Sequence, residues 1–268
     1  MGRFDGKIAF ITGAARGQGR THAVGMAQEG ADIIIIDVCG PIDGLPYASS
    51  TPKELDETAS LVRHLGREVR HAAIDTRDAN GLSAFLDASV AELGGLDIAV
   101  ANAGICIPGA WGDITPEVWR DTLDINLTGT WNTARLAAPH LIARGGGSMI
   151  LTSSVAGLKG QPFLTPYVAS KFGVTGLMHA FSVELAEHHV RVNSVHPTGV
   201  VSPMGSGNSG MHDLIRANPA LGAIFTNSLP VQAIDCEDVT DSVMFLASDA
   251  AKYITGHALG VDAGNIQR

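Results

Sequence analysis

Cysteine is scarce in this chain of 268 residues: the three present, Cys39, Cys106 and Cys236, are widely spaced and odd in number. That excludes a disulfide framework and a CxxC metal pair, and it suits a reducing compartment. Positive charge is in deficit, with 18 Lys and Arg against 27 Asp and Glu and a net charge of −9. Such a molecule repels phosphate backbones and anionic lipid, so no nucleic-acid and no membrane partner is expected. Long apolar runs are missing; Ile33 to Ile36 is the longest clean one near the start, against the ~18 residues that a spanning helix requires. From Met1 the sequence passes almost at once into a strand-like KIAFI and a glycine-rich turn, which leaves no space for a secretory leader and points to the cytoplasm. What is present is a mixture of 45% hydrophobic and 17% charged residues, too apolar for disorder and free of repeat bias.

Short apolar runs alternate with helix-length amphipathic segments, the pattern of βαβ units wound about a parallel sheet. Seven strands are predicted at 7–11, 32–36, 68–74, 97–101, 148–152, 191–196 and 258–261, and helices at 19–29, 52–65, 79–93, 116–144, 167–188 and 237–247. Thr51-Pro52-Lys53-Glu54 reads as a capping threonine, a proline at the first helical position and a glutamate at the third, and Thr115-Pro116 repeats the start. No Pro-, Ser- or charge-rich linker divides the chain, so a single α/β domain over 1–268 is expected. Two stretches exceed ordinary connections. One is an insertion at 38–50 (VCGPIDGLPYASS); the other, 200–233, is a substrate-loop candidate in which Met204, Met211, Leu214, Ile215 and Phe225 form either an apolar lid or a minor core.

The first strand runs into TGAARGQG, with Gly13, Gly17 and Gly19 opening a helix. Glycines there permit a tight turn and close approach to a pyrophosphate, whose charge then sits at a helix N-terminus. The spacing is TGxxxGxG, not the generic GxGxxG. Asp37 closes the second strand twenty residues after Gly17, placed to accept hydrogen bonds from an adenosine ribose and to repel the 2′-phosphate of NADP. At 4 Å and an effective dielectric of 20, one charge pair is worth up to about 4 kcal/mol, so NAD is favoured. Arg16 either meets a phosphate or lies in solvent. Tyr167 and Lys171, at i and i+4 on a predicted helix, share a face, so the ammonium can lower the phenol from its usual pKa of about 10 toward what a general base needs. Ser154, at the carboxyl end of a strand, is placed to orient a substrate oxygen, with Ser153 as its competitor. The ten histidines lack metal-ligand spacing, and no metal is expected. His188 and His189 close a helix and favour its dipole, while His196 either approaches a nicotinamide or satisfies a turn. Trp119 and Trp131 on the long helix read as core or subunit packing.

These residues, with Asp75, Asn102-Ala103-Gly104, Asn126 in DINLTG, YVASK from Tyr167 to Lys171 and His196-Pro197-Thr198-Gly199, stand in the order and spacing of the short-chain dehydrogenase/reductase family, which essentially the whole chain resembles. The resemblance implies a single-domain Rossmann-type doubly wound α/β fold with a seven-stranded parallel sheet. It implies a tyrosine acid/base at Tyr167, a lysine at Lys171 that also holds the nicotinamide ribose, a serine at Ser154 on the substrate oxygen, and an asparagine at Asn126 placing a proton-relay water. The NAD site it implies comprises Gly13, Arg16, Gly17, Gln18, Gly19, Asp37, Asp75 at the adenine, Thr76, Asn102, Ala103, Gly104, Tyr167, Lys171 and Pro197, with Val200 and Ser202 at the carboxamide. The pattern departs at Ala101, Thr198 and Ser202, where relatives commonly carry Asn, Gly and Thr, and no catalytic group is lost.

The insertion, together with ANAG, VHPT and the terminal VDAG, is similar to the mycofactocin-coupled subfamily, which includes carveol dehydrogenase. That resemblance implies a small hydrophobic, terpenoid-like alcohol or ketone as substrate, NAD held so tightly that a mycofactocin-type carrier re-oxidises it in place, and a homotetramer. The expected activity is NAD-dependent interconversion of a secondary alcohol and a ketone. Two alternatives stay open: a ketoacyl or hydroxysteroid dehydrogenase/reductase with exchangeable NAD, and a dinucleotide-binding sensor or scaffold without catalysis.

Overall fold

The run from Ile33 to Ile36, buried along its whole length, shows how the sheet is built. Ile33 and Ile35 join one hydrophobic layer and Ile34 and Ile36 the other, because a strand alternates its side chains and a parallel sheet is covered on both faces. The computed structural model describes residues 2–206 and 209–268; Met1, Gly207 and Asn208 lie outside the described residues. The strands are β1 (Ile8–Thr12), β2 (Asp32–Asp37), β3 (Val69–Ala73), β4 (Ile98–Ala101), β5 (Gly147–Thr152), β6 (Val190–Pro197) and β7 (Ala258–Val261). They pair in parallel in the order β3-β2-β1-β4-β5-β6-β7.

The helices are α1 (Gly17–Gln28), α2 (Pro52–His64), α3 (Ala79–Leu93), α4 (Pro116–Leu123), α5 (Gly129–Ala143), α6 (Thr165–Glu184), α7 (Pro203–Ser206), α8 (Ser209–Ala217), α9 (Pro219–Gly222) and α10 (Cys236–Ala247). Ala23 and Met26 of α1, Leu55 and Ala59 of α2, and Val239 and Val243 of α10 fill one layer. Leu82 and Leu86 of α3, Ala134 and Leu141 of α5, and Val174 and Met178 of α6 fill the other. Thr51 and Glu54 form the reciprocal cap read from the sequence, and Thr115 caps α4. The helix predicted at 116–144 is continuous but not uniform: a π turn at Asp124–Thr128 joins α4 to α5, a feature that often marks functional sites.

Among its described residues the 200–233 stretch contains α7, α8 and α9. Its ends meet, since Val201 N donates to the Ile234 carbonyl and Ile234 N to the Gly199 carbonyl, both at 2.9 Å. The 38–50 insertion has no regular element and leans Ile42 and Leu45 on Ile105, Ile107 and Ile125. Strand order reverses between β1 and β4, which opens a crevice at the carboxyl ends of these strands. Among the described residues no helix is long and apolar enough to cross a membrane.

Candidate active site

Thr12, the last residue of β1, laces the crevice together. Its Oγ1 accepts from the backbone N of Asn102 (3.0 Å) and Ala103 (3.1 Å), while Asn102 Nδ2 donates to the carbonyls of Thr12 (3.0 Å) and Gly13 (3.3 Å). The backbones come so close that a Cβ on Gly13 would lie 2.8 Å from Ala103 Cα, and one on Gly19 2.1 Å from the Gly13 carbonyl oxygen. Gly13 and Gly17 have φ of +68° and +55°, a region that glycine enters without steric cost. The cleft beyond is lined by Gly13, Arg16, Gly17, Gln18, Asp37, Asp75, Thr76, Asn102, Ala103, Gly104 and Ser202 from the expected set. Gln18 Oε1 is buried there with no protein partner among the described residues. Gly19 packs beneath the turn, and Val200 lies in the hydrophobic layer under the cleft.

At the β2 end of the cleft, Asp37 accepts from Ala15 N at 2.9 Å and from Ser50 Oγ at 2.5 Å, so its carboxylate is held by both the glycine turn and the insertion. Arg16 turns toward the insertion: it donates to the Ala48 carbonyl and pairs with Glu54 at 3.6 Å. Arg16 lines the cleft as well, so its contact with Ala48 is compatible with the phosphate reading. Tyr47 completes the fastening by accepting from Cys106 N at 3.1 Å. Asp75 pairs with Arg77 at 2.6 Å, and the Thr76 carbonyl accepts from Asn132 at 3.0 Å.

The two candidate serines have different surroundings at the end of β5. Ser153 donates to the Lys171 carbonyl at 3.0 Å and lies 3.2 Å from Thr175 Oγ1, tying β5 to α6. Ser154 instead faces the Tyr167 phenol, whose pKa it helps to lower, and reaches the Pro197 carbonyl at 3.5 Å. His196, fully buried, places Nδ1 2.8 Å from the Ser154 carbonyl and Nε2 2.8 Å from Ser194 Oγ. A carbonyl only accepts, so Nδ1 carries the proton and Nε2 accepts from Ser194. Burial holds its pKa down at about 4, leaving a neutral ring that steadies the backbone of Ser154; of the two readings of His196, this is the structural one.

The Tyr167 phenol lies deep although the residue keeps some surface, and burial pushes it above its usual range, with the Cys106 thiol and the Tyr47 phenol adding to the rise and the Ser154 hydrogen bond opposing it. Lys171 donates to the Thr152 carbonyl at 2.8 Å, and its Nζ stands 5.5 Å from the centre of the Tyr167 ring. Burial lowers its pKa to about 8. The expectation that Lys171 depresses the phenol is therefore corrected for the protein alone: both groups are desolvated, and desolvation favours the neutral form of each. Asn126, in the π turn, accepts from Ile105 N at 2.8 Å and donates to the Ile105 carbonyl at 2.9 Å and to Ser170 Oγ at 3.1 Å. Its side chain thus joins the exit of β4 to the helix that carries Tyr167 and Lys171. Sequence reading missed Thr12, Ser50 and the Tyr47 hydroxyl as site residues. Thr12 was visible as the first letter of TGxxxGxG, whereas Ser50 and Tyr47 find their partners only through the path of the insertion.

The family model described as enoyl-(acyl carrier protein) reductase matches residues 13–265. The (−)-trans-carveol dehydrogenase of Rhodococcus erythropolis is 47% identical, over 98% of this chain and 99% of its own. Among solved structures, a short chain dehydrogenase from Mycobacterium paratuberculosis bound to NAD is similar with a TM-score of 0.98 at 50% identity. Carveol dehydrogenase from Mycobacterium avium in complex with NAD follows at 0.95 and 48%; both comparisons cover 100% of each chain. A parallel sheet in this strand order, the TGxxxGxG turn and the Ser154, Tyr167, Lys171 cluster thus agree with these matches: the chain belongs to the short-chain dehydrogenase/reductase family.

Proposed function

We propose that this protein is a single NAD-binding unit that oxidises a small hydrophobic secondary alcohol of the carveol kind to its ketone, or runs the reverse, with NAD retained between turnovers and re-oxidised by a mycofactocin-type carrier. It would work in the cytoplasm as a homotetramer. The glycine turn, which lines the cleft at Gly13 and Gly17, and the unpartnered Gln18 oxygen fit a dinucleotide. Gly13, Gly17, Gln18 and Thr76 would hold its phosphate and adenine side, Asp37 and Asp75 the adenosine, and Asn102, Ala103, Gly104, Pro197, Val200 and Ser202 the nicotinamide side. Bound there, NAD supplies the hydride acceptor. Tyr167 Oη takes the proton of the alcohol hydroxyl, Ser154 Oγ orients the alcohol oxygen, and the Lys171 cation supports the negative charge that Tyr167 must bear as a base. Asn126 holds the carrier helix of both residues against β4 and would place a relay water with its backbone.

The retained-cofactor reading is carried by the insertion, which is fastened across the cleft at Arg16, Asp37 and Cys106. A flap tied at three points must open before the cofactor leaves, and such gating acts on the dissociation rate. Purified protein is expected to contain NAD, to turn over cyclic secondary alcohols poorly with free NAD alone, and to recover with an artificial electron acceptor. Removing 40–49 is expected to speed NAD release about tenfold or more. Protein that purifies empty and turns over readily with added NAD would overturn retention and favour the exchangeable-cofactor alternative.

Cofactor choice should follow Asp37. On protein freed of cofactor, Asp37→Ala is expected to narrow the NAD-over-NADP ratio of Kd values about tenfold or more, by removing ribose acceptors and phosphate repulsion together. Equal affinity of the unaltered protein for both dinucleotides would contradict the assignment.

A further inference from the structure

Lys159 lies five residues beyond Ser154, on the turn between β5 and α6, and its ammonium has no part in the chemistry above. It donates to three backbone carbonyls from two distant segments: Ile224 at 3.0 Å, at the rear of the 200–233 stretch, and Asn265 and Arg268 at 2.6 and 3.4 Å, beyond β7. An ammonium has three donors and no acceptor, so it can gather carbonyls that would otherwise repel one another.

The same two segments are joined further. Asn265, almost fully buried, donates to the Thr226 carbonyl and to Asn227 Oδ1, both at 3.1 Å. Thr198, just past β6, donates to that same Oδ1 at 2.8 Å, and Ser228 N donates to the Ala263 carbonyl at 2.9 Å. This rear foot complements the front foot at Val201 and Ile234. Between the feet, none of the described residues from 201 to 226 is fully buried, so α7, α8 and α9 form a flap of low packing on a fixed frame. Its near end, at Ser202, Pro203 and Met204, lines the cleft.

We propose that Lys159 is a positioning residue for the substrate: its ammonium ties the rear foot of the flap to the turn that carries Ser154. The tie sets how closely the flap's apolar residues approach the alcohol that Ser154 orients. The substrate part of this inference rests on the proposed dehydrogenase activity, whereas the fastening of the flap does not.

Lys159→Met removes the donors at similar length, and Lys159→Arg restores them. In Lys159→Met, amide exchange across 210–226 is expected to rise about tenfold or more while the strands are unchanged. KM for the best alcohol is expected to rise about tenfold, with kcat within about twofold and bound NAD undiminished, and Lys159→Arg should recover most of the loss. Should Lys159→Met fail to fold, Lys159→Leu, which likewise has no donor, is read in the same way. Unchanged exchange at 210–226 would overturn the proposal whatever the activity, and so would faster exchange with an unaltered KM. An unaltered protein that oxidises no alcohol would overturn the dehydrogenase reading and with it the substrate part, while the exchange measurement still judges the fastening.

Discussion

Tyr167→Phe is expected to lower kcat by about 10²- to 10⁴-fold, the usual scale of a lost acid/base group, while the content of bound NAD stays the same. Only one oxygen is removed, and the ring that lies near Lys171 remains. Single-turnover kinetics with NAD content measured on the same sample separates the two effects. A variant that kept a tenth or more of the original kcat, a loss of only about 1.4 kcal/mol, would sink the role assigned to Tyr167.

Lys171→Met is expected to be the broader lesion, reducing kcat about 100-fold or more and also weakening retention of NAD, because the ammonium serves both the phenolate and the nicotinamide ribose in the proposed site. It carries a pH signature as well. Burial lowers the Lys171 pKa from the ordinary 10.5 to about 8, so between these values the unfolded chain binds a proton that the folded cofactor-free protein does not. Stability then rises with pH across that window for this residue. Denaturation midpoints of cofactor-free protein at pH 8 and pH 10 should therefore show a gain in the original protein relative to Lys171→Met. An identical pH response in the two proteins would contradict the assignment.

Much of this was legible because the signals were local. The isoleucine run at 33–36 announces a strand covered on both faces, Thr51 and Glu54 announce a helix start, and the spacing of Tyr167 and Lys171 places two groups on one face before any tertiary contact is known. What stayed hidden depends on contacts between distant segments. Arg16 meets Ala48 across 32 residues, so no spacing rule reveals that carbonyl. The choice between Ser153 and Ser154 depends on which hydroxyl the end of β5 turns against α6. Helix α8 escaped notice because Met211, Leu214 and Ile215 give a helical spacing over barely two turns, next to Gly205 and Gly210, where breakers dominate the pattern. Lysine residues such as Lys159 are ordinarily surface charges, and nothing in a linear reading brings 159, 224 and 265 together.

The π turn at 124–128 has an effect beyond its own residues, which is one of rotational phase. An α-helix advances about 100° per residue, so Trp119 and Trp131, twelve positions apart, would point about 120° away from each other on an unbroken helix. One surplus residue in the turn sets the phase back by about one step, which brings the two indoles to within about 20° of a common direction. Both are exposed, by 39% and 44%. The irregularity that accompanies Asn126's hold on Ile105 at the site thus also aligns two tryptophans along the outside of the same helix. Loss of a single residue from 124–128 would swing them apart and carry Asn126 out of register in the same movement.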